Sequence, residues 1–321
     1  MTNRAETQIL KWDHILRNEQ VRSKNKDTDT PNTLKSFVTP IFNLSVIDVA
    51  GADAETFLDS QLTSDIKNTK INSLIPSGYC NPKGRLIATP YVIRKTDSFH
   101  LLLPNDIVDE FISRISRFIL RANVSITENH ALAIVGVIAN IGFEISTRES
   151  DDFNNEILKI NAKQGLILCP SDSLEAFWVK ATQKYIPSQF DHWELETIRN
   201  GIVNIGNATK EQFLPQMINL EKREGVSFTK GCYPGQEIVA RTKYLGTVKR
   251  KLCSFQSDTL INLGATIVSS AGTTCGVVCH ISKNLNSNNV REGLAVIHID
   301  NINDDKLKTS RAVPINSLAL I

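Results

Sequence analysis

The stretch GVSFTKGCYPGQEIVAR, at positions 225–241, carries more local information than any other part of this sequence. Two turn signals lie close together in it, Lys230-Gly231 and Pro234-Gly235. Glycine supplies unusual backbone angles and proline fixes one of them, so both pairs are typical of turns. Cys232 and Tyr233 lie between them and are therefore predicted to occupy a tight, rigid loop.

The flanks of this loop predict regular structure. Val226–Phe228 is typical of the end of a strand, and Gln236–Arg241 of the start of a helix. Glu237 falls in the first turn of that helix, where a carboxylate interacts favourably with the helix dipole. The stretch is therefore interpreted as a strand end, a loop and a helix.

Cys232 is the candidate reactive group of this loop. It lies beside Lys230 and just before the predicted helix N-terminus, and both features favour a thiolate. Because the thiolate is the nucleophile and metal ligand, we hypothesise a thiol that serves in redox exchange or in sulfur and cluster handling. The alternative is a small buried hydrophobe, which is what most free cysteines are.

Length and composition narrow the class of protein. A chain of 321 residues is too long for one ordinary core, so two or three compact units are expected. With 36 basic and 34 acidic residues, the net charge of +2 argues against a nucleic-acid binder with a broad basic face, while leaving room for a local basic patch. Apolar runs fall short of the ~18 residues of a membrane span. Charges interrupt the N-terminal apolar stretches, so the six cysteines are expected to be reduced thiols of a cytoplasmic protein.

The pattern along the chain predicts three parts. Residues 1–36 are predicted to form an amphipathic helix followed by a flexible polar tether, 22–33. Residues 37–245 mix strands and helices without a regular βαβ repeat, which favours the α+β class. From 246 to 321, short strands alternate with Gly, Asn and Ser turns, which is typical of a small β-barrel.

Periodicity places individual elements in the second part. Strands are predicted at Ile41–Val49, Leu86–Val92, Phe99–Leu103, Ala131–Ala139, Ile157–Ile160, Leu166–Cys169 and Ala176–Lys180. Helices are predicted over 54–62, over 107–119 with Phe118 on the apolar face, and over His192–Arg199.

The motif K-G-C-Y-x-G-Q-E, at Lys230–Glu237, resembles the signature of the YgfZ family. That family is the folate-binding branch of the superfamily that includes the glycine-cleavage T-protein, an aminomethyltransferase. FLDSQLTSDI at Phe57–Ile66 resembles the family's F-L-x-x-Q-x-T-x-D segment, and NPKGRL at Asn81–Leu86 resembles its N-x-K-G-R hairpin. The resemblance runs from Phe42 to the C-terminus, and an eight-residue motif with such flanks is highly specific.

This resemblance implies a T-protein-like ring of two α+β subdomains and a C-terminal small β-barrel, around a channel that binds tetrahydrofolate in the superfamily. It also implies a folate-binding accessory protein for iron–sulfur cluster assembly or repair, which supports tRNA modification indirectly. The expected cofactor is tetrahydrofolate or a derivative. The expected partners are iron–sulfur client or assembly proteins and tRNA-modifying enzymes.

The same resemblance suggests roles for individual residues. Cys232 would be the reactive thiol, and Lys230 would help to hold its thiolate. In the loop, the glycines would permit the tight backbone, Tyr233 would stack or donate a hydrogen bond, and the next two polar residues would anchor the loop. The loop residues are Gly231, Tyr233, Gly235, Gln236 and Glu237. The candidate folate contacts are Gln61, Asp65, Glu196, Arg199, Arg241, Lys249 and Arg250.

Two departures from the relatives affect the expected chemistry. The T-protein aspartates that serve one-carbon transfer fall on Ala88 and Thr89, which cannot act as a base at neutral pH. Aminomethyl transfer by the T-protein route is therefore not expected. In the family's L-R-x-x-x-G-I-P stretch, the arginine falls on Thr197 and the proline on Val203. Glu194, Glu196 or Arg199 could supply the lost ligand contact, or could form a solvated helix face.

A basic cluster surrounds the end of the motif. Arg241, Lys243, Lys249, Arg250 and Lys251 could bind the glutamate tail of folate or RNA phosphates. The alternative is a solvated strand edge that lysines protect from pairing.

Other candidates favour structural roles. Cys275 and Cys279 are predicted to share one face of a strand, where core packing is favoured over a metal site. Cys80 is a candidate to resolve a disulfide with Cys232. Arg114, Arg117 and Arg121 are predicted to form a solvated helix face.

Two rival functions remain open at this point. One is a one-carbon transferase that acts on an unknown acceptor, and Ala88 and Thr89 argue against it. The other is a non-catalytic RNA or protein adaptor that uses the Lys243–Lys251 segment. Its binding would persist in Cys232→Ala and would fall steeply with salt.

Overall fold

The computed structural model describes residues 10, 12, 13, 15, 16, 36–140, 157–283 and 289–321. Most of the predicted N-terminal helix and the whole polar tether lie outside these residues. The helices are α1 (Ala54–Gln61), α2 (Val108–Ser116), α3 (Leu174–Lys184), α4 (Phe190–Arg199) and α5 (Gln236–Tyr244). None of the helices in the described ranges combines the length and apolarity that crossing a membrane requires.

The strands group into three large sheets and one hairpin. Sheet A has the order β10-β11-β9-β1-β12, with β1 Ser36–Ile41, β9 Leu132–Ala139, β10 Leu158–Lys159, β11 Gln164–Pro170 and β12 Ile186–Pro187. Sheet B has the order β3-β6-β7-β2-β8, with β2 Leu44–Ala50, β3 Leu74–Pro76, β6 Tyr91–Arg94, β7 Ser98–Pro104 and β8 Ser125–Asn129. The hairpin pairs β4 Tyr79–Cys80 with β5 Leu86–Ala88.

Sheet C is antiparallel and curls as a half-barrel, with the order β17-β14-β15-β16-β13-β18. Its strands are β13 Arg250–Ser257, β14 Thr266–Val268, β15 Thr274–Ile281, β16 Arg291–His298, β17 Lys308–Thr309 and β18 Asn316–Leu320. This arrangement agrees with the short strands and turns expected in the C-terminal part. Residues 312–315 form irregular backbone with an isolated bridge at Pro314, and β18 follows them.

Sheets A and B pack face to face and are covered on their outer faces. Their shared core contains Ile41 and Ile134 from sheet A, Val46 and Ile93 from sheet B, and Trp193 from α4. The outer face of sheet B packs against α1 and α2. The outer face of sheet A packs against α3 and the N-terminal segment. There, the ring centroids of Trp12 and Trp178 are 5.0 Å apart.

Several predicted elements are confirmed and others are wrong. Phe99–Leu103 and Ala131–Ala139 are strands as predicted. Ala176–Lys180, predicted as a strand, belongs to helix α3. Ile41–Val49 is split, because the chain leaves sheet A at Ile41 and enters sheet B at Leu44. Leu86–Val92 is likewise interrupted, between β5 and β6.

Two further predictions differ near the ends of elements. Helix α2 ends at Ser116, so Phe118 is exposed and is not part of the predicted apolar face. Val226–Phe228 forms no strand and runs as irregular backbone. This segment is held by the backbone bond from Ser227 N–H to the Thr63 carbonyl, at 2.8 Å.

Candidate functional site

The Cys232 loop, residues 229–235, rests against the β4–β5 hairpin. Gly235 precedes α5 with φ +81°, a left-handed conformation that favours glycine. A Cβ atom there would lie 2.5 Å from the Asn81 carbonyl oxygen and 2.6 Å from Gly84 Cα. The two family segments at 81–86 and 230–237 therefore meet, and glycine is required where their backbones approach.

Cys232 is exposed, whereas the other five cysteines are buried. Its neighbour Gly231 has no other part of the described structure within 4 Å of a Cβ placed on it. The loop therefore presents the thiol to solvent. The alternative of a small buried hydrophobe is wrong for this residue.

Lys230 points inward, in contrast to Cys232. Its side chain is 1% exposed, and its ammonium donates to the backbone carbonyls of Asp59, Leu62 (2.9 Å) and Ser64 (2.8 Å). The Asp59 carboxylate lies 3.2 Å away. Burial lowers the pKa of Lys230, and Asp59 opposes that shift. Because the three carbonyls use all three N–H donors, Lys230 holds the loop in place and has none left for the Cys232 sulfur.

Tyr233 is buried beneath the loop. The Lys230 ammonium lies 5.7 Å from the centroid of its ring. Burial raises the pKa of Tyr233, and its hydroxyl has no hydrogen-bond partner among the described residues. Cys80 is buried in the adjoining core, where burial raises the pKa of its thiol to about 12. That thiol is protonated at neutral pH, so the pairing of Cys80 with Cys232 gains no support.

The polar residues at the start of α5 do not anchor the loop as predicted. Glu237 has a side chain that is 80% exposed, and it pairs with Arg241 one turn later at 3.0 Å. Gln236 is half-buried, and its backbone N–H donates to the Tyr233 carbonyl at 3.2 Å. The loop is instead held by Lys230 and by the Gly235 contact.

Two candidate folate residues near α1 differ in availability. Gln61 is buried, and its Oε1 has no partner among the described residues. Asp65 accepts from the side chain of Asn68 at 2.8 Å and from its backbone N–H at 3.2 Å, and these bonds lower the pKa of Asp65. Gln61 therefore offers a free acceptor, whereas Asp65 closes a turn.

Candidate residues on α4 are already paired. Arg199 donates to both carboxylate oxygens of Glu292 in sheet C, at 2.9 and 2.7 Å, which raises the pKa of Arg199. It also contacts Glu196 at 3.3 Å. Glu196 and Arg199 therefore connect α4 to the half-barrel, and neither is free for a ligand in this structure.

Glu194 was one of the three residues that could replace the lost ligand contact. It is 8% exposed, its Oε2 has no partner among the described residues, and its Oε1 lies 3.9 Å from His280 Nε2. The sequence contained a sign that Glu194 is buried, because its spacing places it in the buried stripe of α4 with Trp193, Thr197 and Ile198. A carboxylate in an apolar stripe is unusual unless it has a partner.

The two positions of the T-protein aspartates have structural roles. Ala88 is fully buried. Thr89 accepts a hydrogen bond from the Ile205 N–H at 2.9 Å and donates to the Val203 carbonyl at 3.4 Å. Thr89 therefore binds the loop that contains Val203, the position at which the family pattern has a proline.

The basic cluster lies at the end of α5 and the start of β13. Arg241 pairs with Glu237 and Lys243 pairs with Glu221. Lys249 and Lys251 are exposed and Arg250 is half-buried. No ion pair joins these last three to another residue in the described part of the chain.

Cys275 and Cys279 do not share a face. Cys275 packs in the core of sheet C with Ile267, whereas Cys279 packs with Leu252 and Leu294 on its other side. A register shift between Val278 and His280 inserts an extra residue and reverses the alternation. In the described ranges, no group of three or more His, Cys, Asp or Glu residues could hold a metal ion.

Several known proteins are similar to this chain in sequence. No family model matches the chain. An uncharacterized protein from Haemophilus influenzae is 31% identical over 67% of this chain and 71% of its own length. The tRNA-modifying protein YgfZ is 28% identical in Edwardsiella ictaluri, over 64% of this chain and 66% of the relative. In Colwellia psychrerythraea it is 26% identical, over 71% and 76%.

The fold has a solved counterpart. The glycine cleavage system aminomethyltransferase T from Bartonella henselae superposes with a TM-score of 0.65 at 14% identity, covering 89% of this chain and 85% of that structure. The expected α+β, T-protein-like fold is thereby confirmed, and the part expected as a small β-barrel is a sheet that curls as a half-barrel. The matching relatives and this fold together show that the chain belongs to the YgfZ family.

Proposed function

We propose that this protein is a folate-binding accessory factor for iron–sulfur cluster assembly or repair that works through Cys232 and supports tRNA modification indirectly. The names of the relatives support the link to tRNA modification. The T-protein fold supports the link to folate. The observation that carries the proposal is the exposed thiol on a loop that the buried Lys230 side chain holds in place.

The loop explains how one thiol can serve such a task. Lys230 and Gly235 fix the backbone on both sides of Cys232. The sulfur therefore stays at the surface and does not collapse into the apolar interior, where burial raises the thiol pKa. A surface thiol with a fixed backbone is suited to hold iron or sulfur while a client protein approaches.

The described residues also fit a pterin. The edge of a pterin ring presents an amino group and a ring N–H as paired donors, and a carboxylate is the natural acceptor for such a pair. Glu194 offers a buried oxygen without a partner, and Gln61 offers an amide oxygen. When bound, tetrahydrofolate would supply a one-carbon unit or reducing equivalents. Glu194 would orient the ring and Gln61 would accept a further hydrogen bond.

The residues at positions 88 and 89 do not support the chemistry of the T-protein route. Ala88 carries no polar group, and both hydrogen bonds of the Thr89 hydroxyl go to the backbone at 203–205. Neither residue can take a proton from a substrate amine. The role of folate in this chain must therefore use other groups.

Complementation tests the proposal. A strain that lacks its YgfZ-family gene would receive wild type, Cys232→Ala or Thr229→Ala, and iron–sulfur enzyme activity would be measured. Thr229 is an exposed residue of the same loop and serves as the matched control. We expect rescue by wild type and Thr229→Ala and loss of rescue by Cys232→Ala. Equal rescue by Cys232→Ala, at equal protein levels, would contradict the role of the thiol.

A further inference from the structure

A basic and aromatic surface lies beside the Cys232 loop and has no function in the proposal above. It consists of Phe228, Arg241, Lys243, Tyr244, Lys249 and Lys251. Between 241 and 251 the sequence holds five cations and no acidic residue, in a protein whose net charge is +2. The acidic residues paired with this surface are Glu221 and Glu237, so positive charge remains in excess.

Tyr244 is the unusual member of this surface. It is 67% exposed, and the next residue, Leu245, is 85% exposed. Its ring meets Phe228 edge-on, with centroids 5.9 Å apart and an interplanar angle of 72°. The Lys243 ammonium lies 5.6 Å from the centroid of the same Phe228 ring. Phe228 therefore packs against one side of the Tyr244 ring, while Tyr244 stays mostly exposed to solvent.

An exposed aromatic ring, followed along the chain by the exposed and unpaired Lys249 and Lys251, matches the chemistry of a single-stranded nucleic acid. Bases stack on aromatic faces, and lysines and arginines contact the phosphates between them. In a duplex the base faces are hidden, so Tyr244 would have nothing to stack on. An acidic polypeptide would satisfy the cations but would give no reason for a solvent-facing ring. The observations therefore favour the nucleic acid.

We propose that this surface binds a single-stranded segment of RNA directly, with Tyr244 stacking on a base and Lys249 and Lys251 contacting phosphates. This goes beyond the proposed function, in which tRNA modification is supported only indirectly, and it does not depend on folate. The surface is local, which is consistent with a net charge too small for a broad basic face.

The test is fluorescence anisotropy with a labelled RNA of about 12 nucleotides, either single-stranded or annealed to its complement, at about 50 mM salt. We expect the full-length protein to bind the single strand more tightly than the duplex. Tyr244→Ala should weaken single-strand binding about 5- to 150-fold, the range of base–aromatic stacking, and Tyr244→Phe should retain it. Tyr244→Ala should leave folate binding unchanged.

A charge-matched pair of variants separates local contacts from net charge. Lys249→Gln/Lys251→Gln should reduce the slope of log K against log salt by about 1.4, since each single-strand phosphate contact contributes about 0.7. Arg117→Gln/Arg121→Gln removes two exposed cations from the end of α2 and should change neither affinity nor slope. Thermal melting would establish that each variant is folded.

Three results would overturn the proposal. They are the absence of RNA binding by wild type, equal affinity for single strand and duplex, or unchanged binding by folded Tyr244→Ala. If RNA does not bind but an acidic polypeptide does, with the same dependence on Lys249 and Lys251, the surface is a protein-docking site. Because folate binding and complementation are measured separately, failure here is distinguishable from failure of the proposed function.

Discussion

The Cys232 loop and the inner side of α4 arrange their charges in opposite ways. In the loop, the buried charge of Lys230 is fully paired and the Cys232 thiol faces solvent. On α4, the exposed charge of Arg199 is fully paired, and the buried carboxylate of Glu194 has one oxygen, Oε2, without a hydrogen-bond partner among the described residues. An unsatisfied buried acceptor costs stability that a ligand can restore, whereas an exposed thiol costs little. The comparison suggests that α4 receives a small ligand and the loop a partner from outside.

Removing the buried charge of Lys230 should have the largest effect on the free energy of unfolding. Lys230→Met leaves the Asp59 carboxylate and three carbonyls without their donor. We expect a loss of about 3–5 kcal/mol in the free energy of unfolding, which is typical of a buried pair that loses one partner. Urea denaturation measures it. Lys249→Met, at an exposed lysine, should change stability by no more than about 0.5 kcal/mol. Similar losses in both variants would remove the contrast between the two regions.

On the other side of the comparison, Glu194→Gln should affect binding more than stability. We expect folate affinity to fall about 10- to 100-fold, because a hydrogen bond to a charged group is worth about 1.5–3 kcal/mol. The free energy of unfolding should stay the same or rise, since a neutral amide is easier to bury than an unpaired carboxylate. Calorimetric titration and denaturation measure these, with exposed Glu175→Gln as the control. Unchanged affinity would exclude Glu194 as the pterin contact.

The backbone contact of the loop gives an effect of intermediate size. Gly235→Ala places a Cβ 2.5 Å from the Asn81 carbonyl oxygen in a left-handed conformation. That conformation alone costs a non-glycine residue about 1–2 kcal/mol, so a drop in melting temperature is expected. Gly231→Ala provides the matched comparison, because its Cβ would meet nothing within 4 Å. Equal melting temperatures for the two variants would contradict the close approach.

The smallest effect is expected at the exposed pair of α4. Arg199→Gln removes the contacts with Glu292 and Glu196, but the arginine side chain is 49% exposed. Exposed ion pairs contribute at most about 1 kcal/mol and are screened by salt. Denaturation at low and high salt should show a small loss that disappears at high salt. A large loss that salt does not reduce would mean that this contact is as important as that of Lys230.

The sequence identified the family segments better than it predicted single elements. The segments at 81–86 and 230–237 were recognised by their residue order, and they meet in space. Ala176–Lys180 was misinterpreted because Phe177, Trp178 and Val179 suit a strand locally. The buried spacing of Leu174, Phe177, Trp178 and Ala181 is helical, and tertiary packing decided the outcome.

Residues whose partners are distant in sequence were the hardest to predict. Asp59 was not singled out, because its partner Lys230 is far along the chain. Arg199 was assigned to folate, because nothing in its local sequence indicates that Glu292 would meet it. The bulge before His280 reverses the face of Cys279, and no local residue type announces it. Such contacts depend on how the sheets are brought together, and periodicity within one element does not contain that information.

The Lys230 ammonium holds the loop in place. The carbonyls that it binds lie as far as 171 positions earlier in the chain. Most of the protein must therefore leave the ribosome before the Cys232 loop can form. Contacts of such long range form late, since loop closure must come first. A nascent or truncated product would carry the motif but would not hold the thiol in this loop, because the carbonyls that bind Lys230 would not yet be in place.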